Sequence, residues 1–314
     1  MNMKSYRILF TFLLLFLFFI PVANCLTPAM PPIYNIESAK DLQKIGNEWP
    51  LDGLYLLTND IEIIETEWKC IGSNGRPFTG SFNGNGHTIR FKNDVSFMQA
   101  IGPNINESSN GYGFFGNIYR MSEHVGYYGG EFKNIIVIYQ GNINNRHENN
   151  IGGFVGIVSN SSTASPRFEN CSIIFENKTL NGNNVIGGFA GYVKNAFFSN
   201  CSVISDVKSN QYAGGFIGYV SYGNFSNCSV TGSSCDLIHK NVFFGGFSNA
   251  EQLNLNQCFL NEKEITVDNI LNSEPESEAK NKDRRIYIYA VFVFFTATVL
   301  YLILLIFKNK KVEI

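Results

Sequence analysis

Gly152-Gly153-Phe154-Val155-Gly156 recurs as Gly187-Gly188-Phe189-Ala190-Gly191, as Gly214-Gly215-Phe216-Ile217-Gly218 and, shortened, as Gly245-Gly246-Phe247, with a degenerate first copy at Gly113-Phe114-Phe115-Gly116. The spacing between successive Phe positions shrinks from Phe114 to Phe216 and lengthens slightly at Phe247. A second element follows as Phe168-Glu169-Asn170-Cys171-Ser172, Phe198-Ser199-Asn200-Cys201-Ser202 and Phe225-Ser226-Asn227-Cys228-Ser229. Phe132-Lys133-Asn134-Ile135 precedes this series, and Leu253-Asn254-Leu255-Asn256-Gln257-Cys258 closes it. The offset from Phe189 to Asn200 equals that from Phe216 to Asn227, and from Phe154 to Asn170 it is longer. The two elements therefore move together and one structural unit repeats, with insertions in the earlier copies.

Each unit holds short β-branched and aromatic runs cut by Gly, Asn and Ser, which reads as two or three strands joined by tight turns. One such unit cannot bury a core alone. Stacked as a coil of parallel strands, each position lies ~4.8 Å above its equivalent and like residues form ladders. Phe154, Phe189, Phe216 and Phe247 are the expected inward aromatic ladder, the glycines letting the backbone bend beside the ring. Strand alternation favours Cys171, Cys201 and Cys228 pointing inward with Ile173, Val203 and Val230, and Asn then marks a corner, where its short side chain serves turn backbone.

The glycines are as uneven as the apolar residues: 27 of the 29 fall between positions 72 and 246. That density excludes a long helical bundle, and the lack of a three-residue period excludes collagen. A net charge of -2 gives no basic face for nucleic acid. Two runs, Ile8–Ile20 and Ile286–Phe307, are almost wholly apolar. Lys4 and Arg7 ahead of the first run, Pro21 after it, and small Ala23 and Cys25 form a secretory-signal pattern with cleavage before Leu26. As a helix the first run reaches only ~20 Å against a ~30 Å hydrocarbon core. The second run is long enough to span, and Lys308, Lys310 and Lys311 form a stop-transfer flank.

The pentads resemble the GLUG motif, named for a Gly-Leu-x-Gly core of which Gly-Gly-Phe-x-Gly is the local version. Ile36 to Leu42, Tyr55 to Ile61 and Phe78 to Ile89 are similar to the opening of such domains, so the resemblance spans roughly 36–260. It implies an all-β, right-handed parallel β-helix ectodomain of pectate-lyase-like architecture, found on cell-surface and secreted proteins, some adhesive, with no catalysis assigned to the motif. The expected plan is a signal peptide at 1–25, an N-terminal cap region at 26–60, the β-helix at 61–261, a charged stalk at 262–285, one C-terminal transmembrane helix at 286–307 and a cytoplasmic tail at 308–314. Within the cap region, 36–48 read as a short amphipathic helix with Ser38 as N-cap and Ile36, Leu42 and Ile45 on one face.

The resulting expectation is a type I, single-pass glycoprotein of the plasma membrane, non-enzymatic, contacting carbohydrate or surface proteins and needing no cofactor. A glycan-processing β-helix protein and a structural coat protein are the alternatives. Sequons stand at Asn106, Asn160, Asn170, Asn177, Asn200, Asn224 and Asn227, with Asn160 and Asn177 in loop-like context. Cys171, Cys201, Cys228 and Cys258 would stack vertically, as disulfides or as packed thiols. No Cys-x2-Cys spacing points to zinc. His87, in a turn-to-strand step, is expected to be structural, and the scattered acids form no catalytic pair.

Overall fold

The computed structural model describes residues 31–99, 110–120, 129–160, 164–209, 211–235 and 243–271. Apart from Pro31 these belong to one unit, Pro32–Glu123 with Tyr128–Ile314; the other, Met1–Pro31 with His124–Tyr127, otherwise lies outside the described residues. The expected signal peptide, membrane span and tail also lie outside them. Among the described residues no helix is long and apolar enough to cross a membrane.

The fold is all-β and its sheets are built by parallel stacking. One turn runs through the strands Arg167–Glu169, Ser172–Gly182, Val185–Gly187 and Ala190–Val193 before Phe197–Ser199 lands in parallel on the first, pairing Phe168 with Phe198. Repetition gives an eight-stranded sheet from Ile33–Ile36 to Leu253–Asn256 and a nine-stranded sheet from Ile61–Ile63 to Lys263–Ile265. Three- and five-stranded sheets lie on either side of the pentads. Ser202–Lys208 shows why these segments are strands: Val203, Ser205 and Val207 are buried while Ile204, Asp206 and Lys208 are exposed.

The interior is a set of aromatic columns. Phe114, Phe154, Phe189, Phe216 and Phe243 form the pentad column, the last two rings 4.9 Å apart and 11° from parallel. The expected Phe247 is therefore out of register: it pairs with Val220, and Gly245 takes the place of Gly218. With Phe243 in the column, the last spacing equals that from Phe189 to Phe216, because position 243 supplies the ring and only Gly245 the close approach. Phe82, Phe132, Phe168, Phe198 and Phe225 form a second column, unforeseen in the sequence, with the last four stacked 4.8–5.0 Å apart. Rings in different columns meet edge to face, as Phe168 and Phe189 do at 81°. Each such pair adds roughly 0.5–1.5 kcal/mol beyond buried area. A third column, Phe91, Tyr139 and Phe175, fills the longer early turns. Phe175 lies under Gly153, but Ser205 lies under Gly188, so the shorter coil carries a smaller residue.

Each end of the stack carries a short helix. The helix Ala39–Lys44 starts at the expected N-cap Ser38, whose hydroxyl accepts the Asp41 N–H and donates to the Asp41 carboxylate, but it is shorter than the expected 36–48: Ile36 ends the strand Ile33–Ile36 and Ile45 is the C-cap, and both are buried with Leu42. The strand Ile33–Ile36 already pairs with Leu54–Leu57, so stacking begins inside the expected cap region. At the other end the stalk does not begin at 262. Lys263–Ile265 pairs antiparallel with Cys258–Leu260, the helix Val267–Leu271 follows, and Ile265, Val267 and Ile270 pack on the core, because their apolar side chains are spaced to cover it.

Candidate functional site

The corner between the two large sheets is built from the Asn-Cys-Ser step. Asn134, Asn170, Asn200 and Asn227 take φ of 51–53°, the left-handed region that Asn enters more readily than other residues with a Cβ. Asn170 Nδ2 donates to Asn134 Oδ1 at 3.1 Å and Asn227 Nδ2 to Asn200 Oδ1 at 2.8 Å, so the corner carries a ladder of amides.

The cysteines next in sequence point inward, as expected. Cys171 Sγ donates to Glu169 O at 3.4 Å, Cys201 Sγ to Ser199 O at 3.3 Å and Cys228 Sγ to Ser226 O at 3.4 Å, each serving the carbonyl just before the Asn. Cys171, Cys201, Cys228 and Cys258, with Cys70 elsewhere, are buried free thiols. Burial raises the Cys201 thiol well above its ordinary range, and the hydrogen bond from the neighbouring thiol, followed for Cys228 and Cys258 by burial, does the same. Burial pushes Cys70 up to about 12. Such thiols carry almost no thiolate at neutral pH and are poor nucleophiles and metal ligands.

Outside the corner, Ser172, Ser202, Ser229 and Phe259 stand in one register column, with the Ser172 and Ser202 hydroxyls 2.8 Å apart. Asn200, Ser202, Asn227, Ser229, Thr231, Phe259 and Glu262 line an open groove of about 450 Å³, floored in part by Cys201 and Val230. Amides, hydroxyls, one carboxylate and one aromatic ring suit a polyhydroxylated ligand rather than a reaction centre. A second polar strip lies on the five-stranded sheet, where Tyr192 and Tyr219 stack 5.9 Å apart and Tyr192 OH, Ser221, Ser248 and Tyr219 OH follow one another at 3.0, 3.2 and 3.4 Å.

Of the sequons, Asn170, Asn200 and Asn227 are exposed on the corner. Asn177 is exposed where the strand Ser172–Gly182 bulges between Ile174 and Thr179. Asn224 is half-buried and accepts from Asn254 Nδ2 at 3.3 Å. Asn160 is a correction: it ends the strand Val155–Asn160 rather than sitting in a loop, is 8% exposed, and donates to Ser165 Oγ at 3.3 Å. Asn106 lies outside the described residues. His87 holds Asp60 across 3.3 Å, and the Thr88 N–H, with His87 after it, keeps the Asp60 carboxyl below its usual range. Among the described residues no group of three or more His, Cys, Asp or Glu is placed to hold a metal ion. The groove is not legible in the linear sequence, because its lining comes from three successive turns.

None of the curated proteins compared matches the sequence. A solved structure from Bacteroides ovatus, described as a "putative immunoglobulin A1 protease", is similar over 74% of this chain and 78% of its own, with 18% identity and a TM-score of 0.47. Residues 209–234, which carry the pentad Gly214–Gly218 and the Asn227 corner, match the family model described as the GLUG motif, so that part of the chain is similar to that motif.

Proposed function

We propose that this is a non-enzymatic, single-pass protein of the cell surface whose right-handed β-helix binds glycan along the asparagine corner. The observation that carries the reading is the groove of about 450 Å³, in which amides, serines and Phe259 face solvent on rigid, register-locked strands. The right-handed sense follows from the strong preference of parallel crossovers. The signal pattern at 1–25 and the apolar run Ile286–Phe307 support export with the coil outside and 308–314 inside.

The test is binding of the full-length, detergent-solubilised protein to a glycan array, alongside a Ser229→Phe variant that fills the groove. Saturable binding to one glycan class, weakened about tenfold (~1.4 kcal/mol) by the variant at unchanged melting temperature, supports the reading. Binding to no glycan, or release of reducing or unsaturated sugar ends from polysaccharide, overturns it.

A further inference from the structure

Away from the corner, the early turns hold buried amide oxygens with no donor. Asn110 is 5% exposed and its Oδ1 has no hydrogen-bond partner; Asn149 Oδ1 and Gln99 Oε1 are likewise buried and unpartnered. These atoms come from three separate stretches that the stacking draws together. Tyr112 bridges Ile151 and its N–H donates to Asn150 O at 3.0 Å, which lays residues 110–112 on the Glu148–Asn150 loop of the next turn. Asn150 Nδ2 donates to Asn110 O at 3.4 Å, and the Gln99 side-chain amide donates to Gly111 O. The Tyr112 phenol lies beside the Glu148 carboxylate and the Asn110 side chain, and burial, with Glu148 after it, raises its pKa.

The orientation of two of the three amides is fixed by those contacts. Turning Gln99 over would break its bond to Gly111 O, and turning Asn110 over would break its amide contact with Tyr112. Three amide oxygens and a carboxylate therefore share one neighbourhood. One water molecule has two protons to offer, so a single water cannot meet all three orphans. A hard cation satisfies several oxygens at once, and amide carbonyls with a carboxylate are the ligands calcium takes. Cys70, which also feels the Glu148 charge, is fully buried and protonated and is no ligand.

We propose that Gln99, Asn110, Glu148 and Asn149 form a site for a hard, oxygen-seeking cation of the calcium class. With one carboxylate the site is of low charge, so its affinity falls in the range of extracellular modules, about 10⁻⁴–10⁻³ M. Its place between two turns makes the cation a tie across the turn with the longest pentad spacing.

Terbium titration of the full-length protein tests this, because Tyr112 at the site can sensitise the bound ion. The expected result is saturable emission, displaced by excess calcium, with binding weakened about tenfold in Glu148→Gln and strengthened about tenfold in Asn110→Asp, which adds a ligand charge. Calcium should also raise the melting temperature of the native protein and leave that of Glu148→Gln unmoved. Absence of saturable emission, or equal affinity in the native protein and in folded Glu148→Gln and Asn110→Asp, overturns the site and assigns the orphan oxygens to water.

Discussion

The pentad arc and the asparagine corner both bend the chain once per turn, but they do so by opposite means. At the arc none of the pentad glycines has a positive φ; most are glycine because backbone, of their own pentad and of adjoining turns, lies too close for a Cβ. A Cβ on Gly214 would stand 1.9 Å from Ile217 O and 2.6 Å from Gly245 N. At the corner the dihedral itself is unusual, and the side chain projects to solvent or to the next rung of amides. The arc is thus dictated by the backbone packed around it, its own and that of adjoining turns, and the corner mainly by its own residue. A surface free to vary, and to recruit ligands, belongs at the corner.

Substitutions at three positions sharpen or break this contrast. Phe216 touches both sides of it, stacking on Phe189 and Phe243 and meeting Phe198 and Phe225 edge to face. Phe216→Ala should cost roughly 3–5 kcal/mol in urea unfolding, and a loss under about 1 would mean that the columns are not the core. Gly214→Ala should cost close to the upper end of ~1–3 kcal/mol, because the methyl meets backbone rather than a flexible side chain. Asn200→Ala should cost only about 1 kcal/mol for the left-handed conformation, and Asn200→Gly less still. Both Asn200 variants lose the sequon, so glycosylation does not confound their comparison; equal losses for Asn200→Ala and Gly214→Ala would remove the distinction between arc and corner.

The repeat was legible because the arc and corner each demand a residue type that few others satisfy. Phe247 misled for a physical reason: Gly245-Gly246-Phe247 copies the letters of the pentad, whereas stacking selects for a ring at 243 and a bare backbone at 245. The second aromatic column had a signal, a Phe two residues before each corner Asn, which the stronger Gly-Gly-Phe pattern overshadowed. Residues 263–271 read as stalk because they open the charge-rich stretch 262–285, yet three of their apolar side chains dock them on the core. The oxygen cluster of Gln99, Asn110, Glu148 and Asn149 had no linear signature, since its members sit far apart in the chain and only the stacking of successive turns joins them.

The reversed strand Lys263–Ile265 has a bearing on how such a protein changes in size. A run of identical parallel turns has no internal reason to stop, and its last edge would template another molecule's first. Here the edge of the nine-stranded sheet is taken by a strand of opposite polarity, with a helix after it, so that sheet offers no parallel edge to a further turn. Excising residues 187–213, one whole turn, would bring Ile186 up to Gly214, much as Ala213 now precedes it, and would remove one corner Asn, one thiol of the stack and one ring of each of the first two columns together. The chain behaves as a ruler graduated in whole turns, able to gain or lose reach without renegotiating its core.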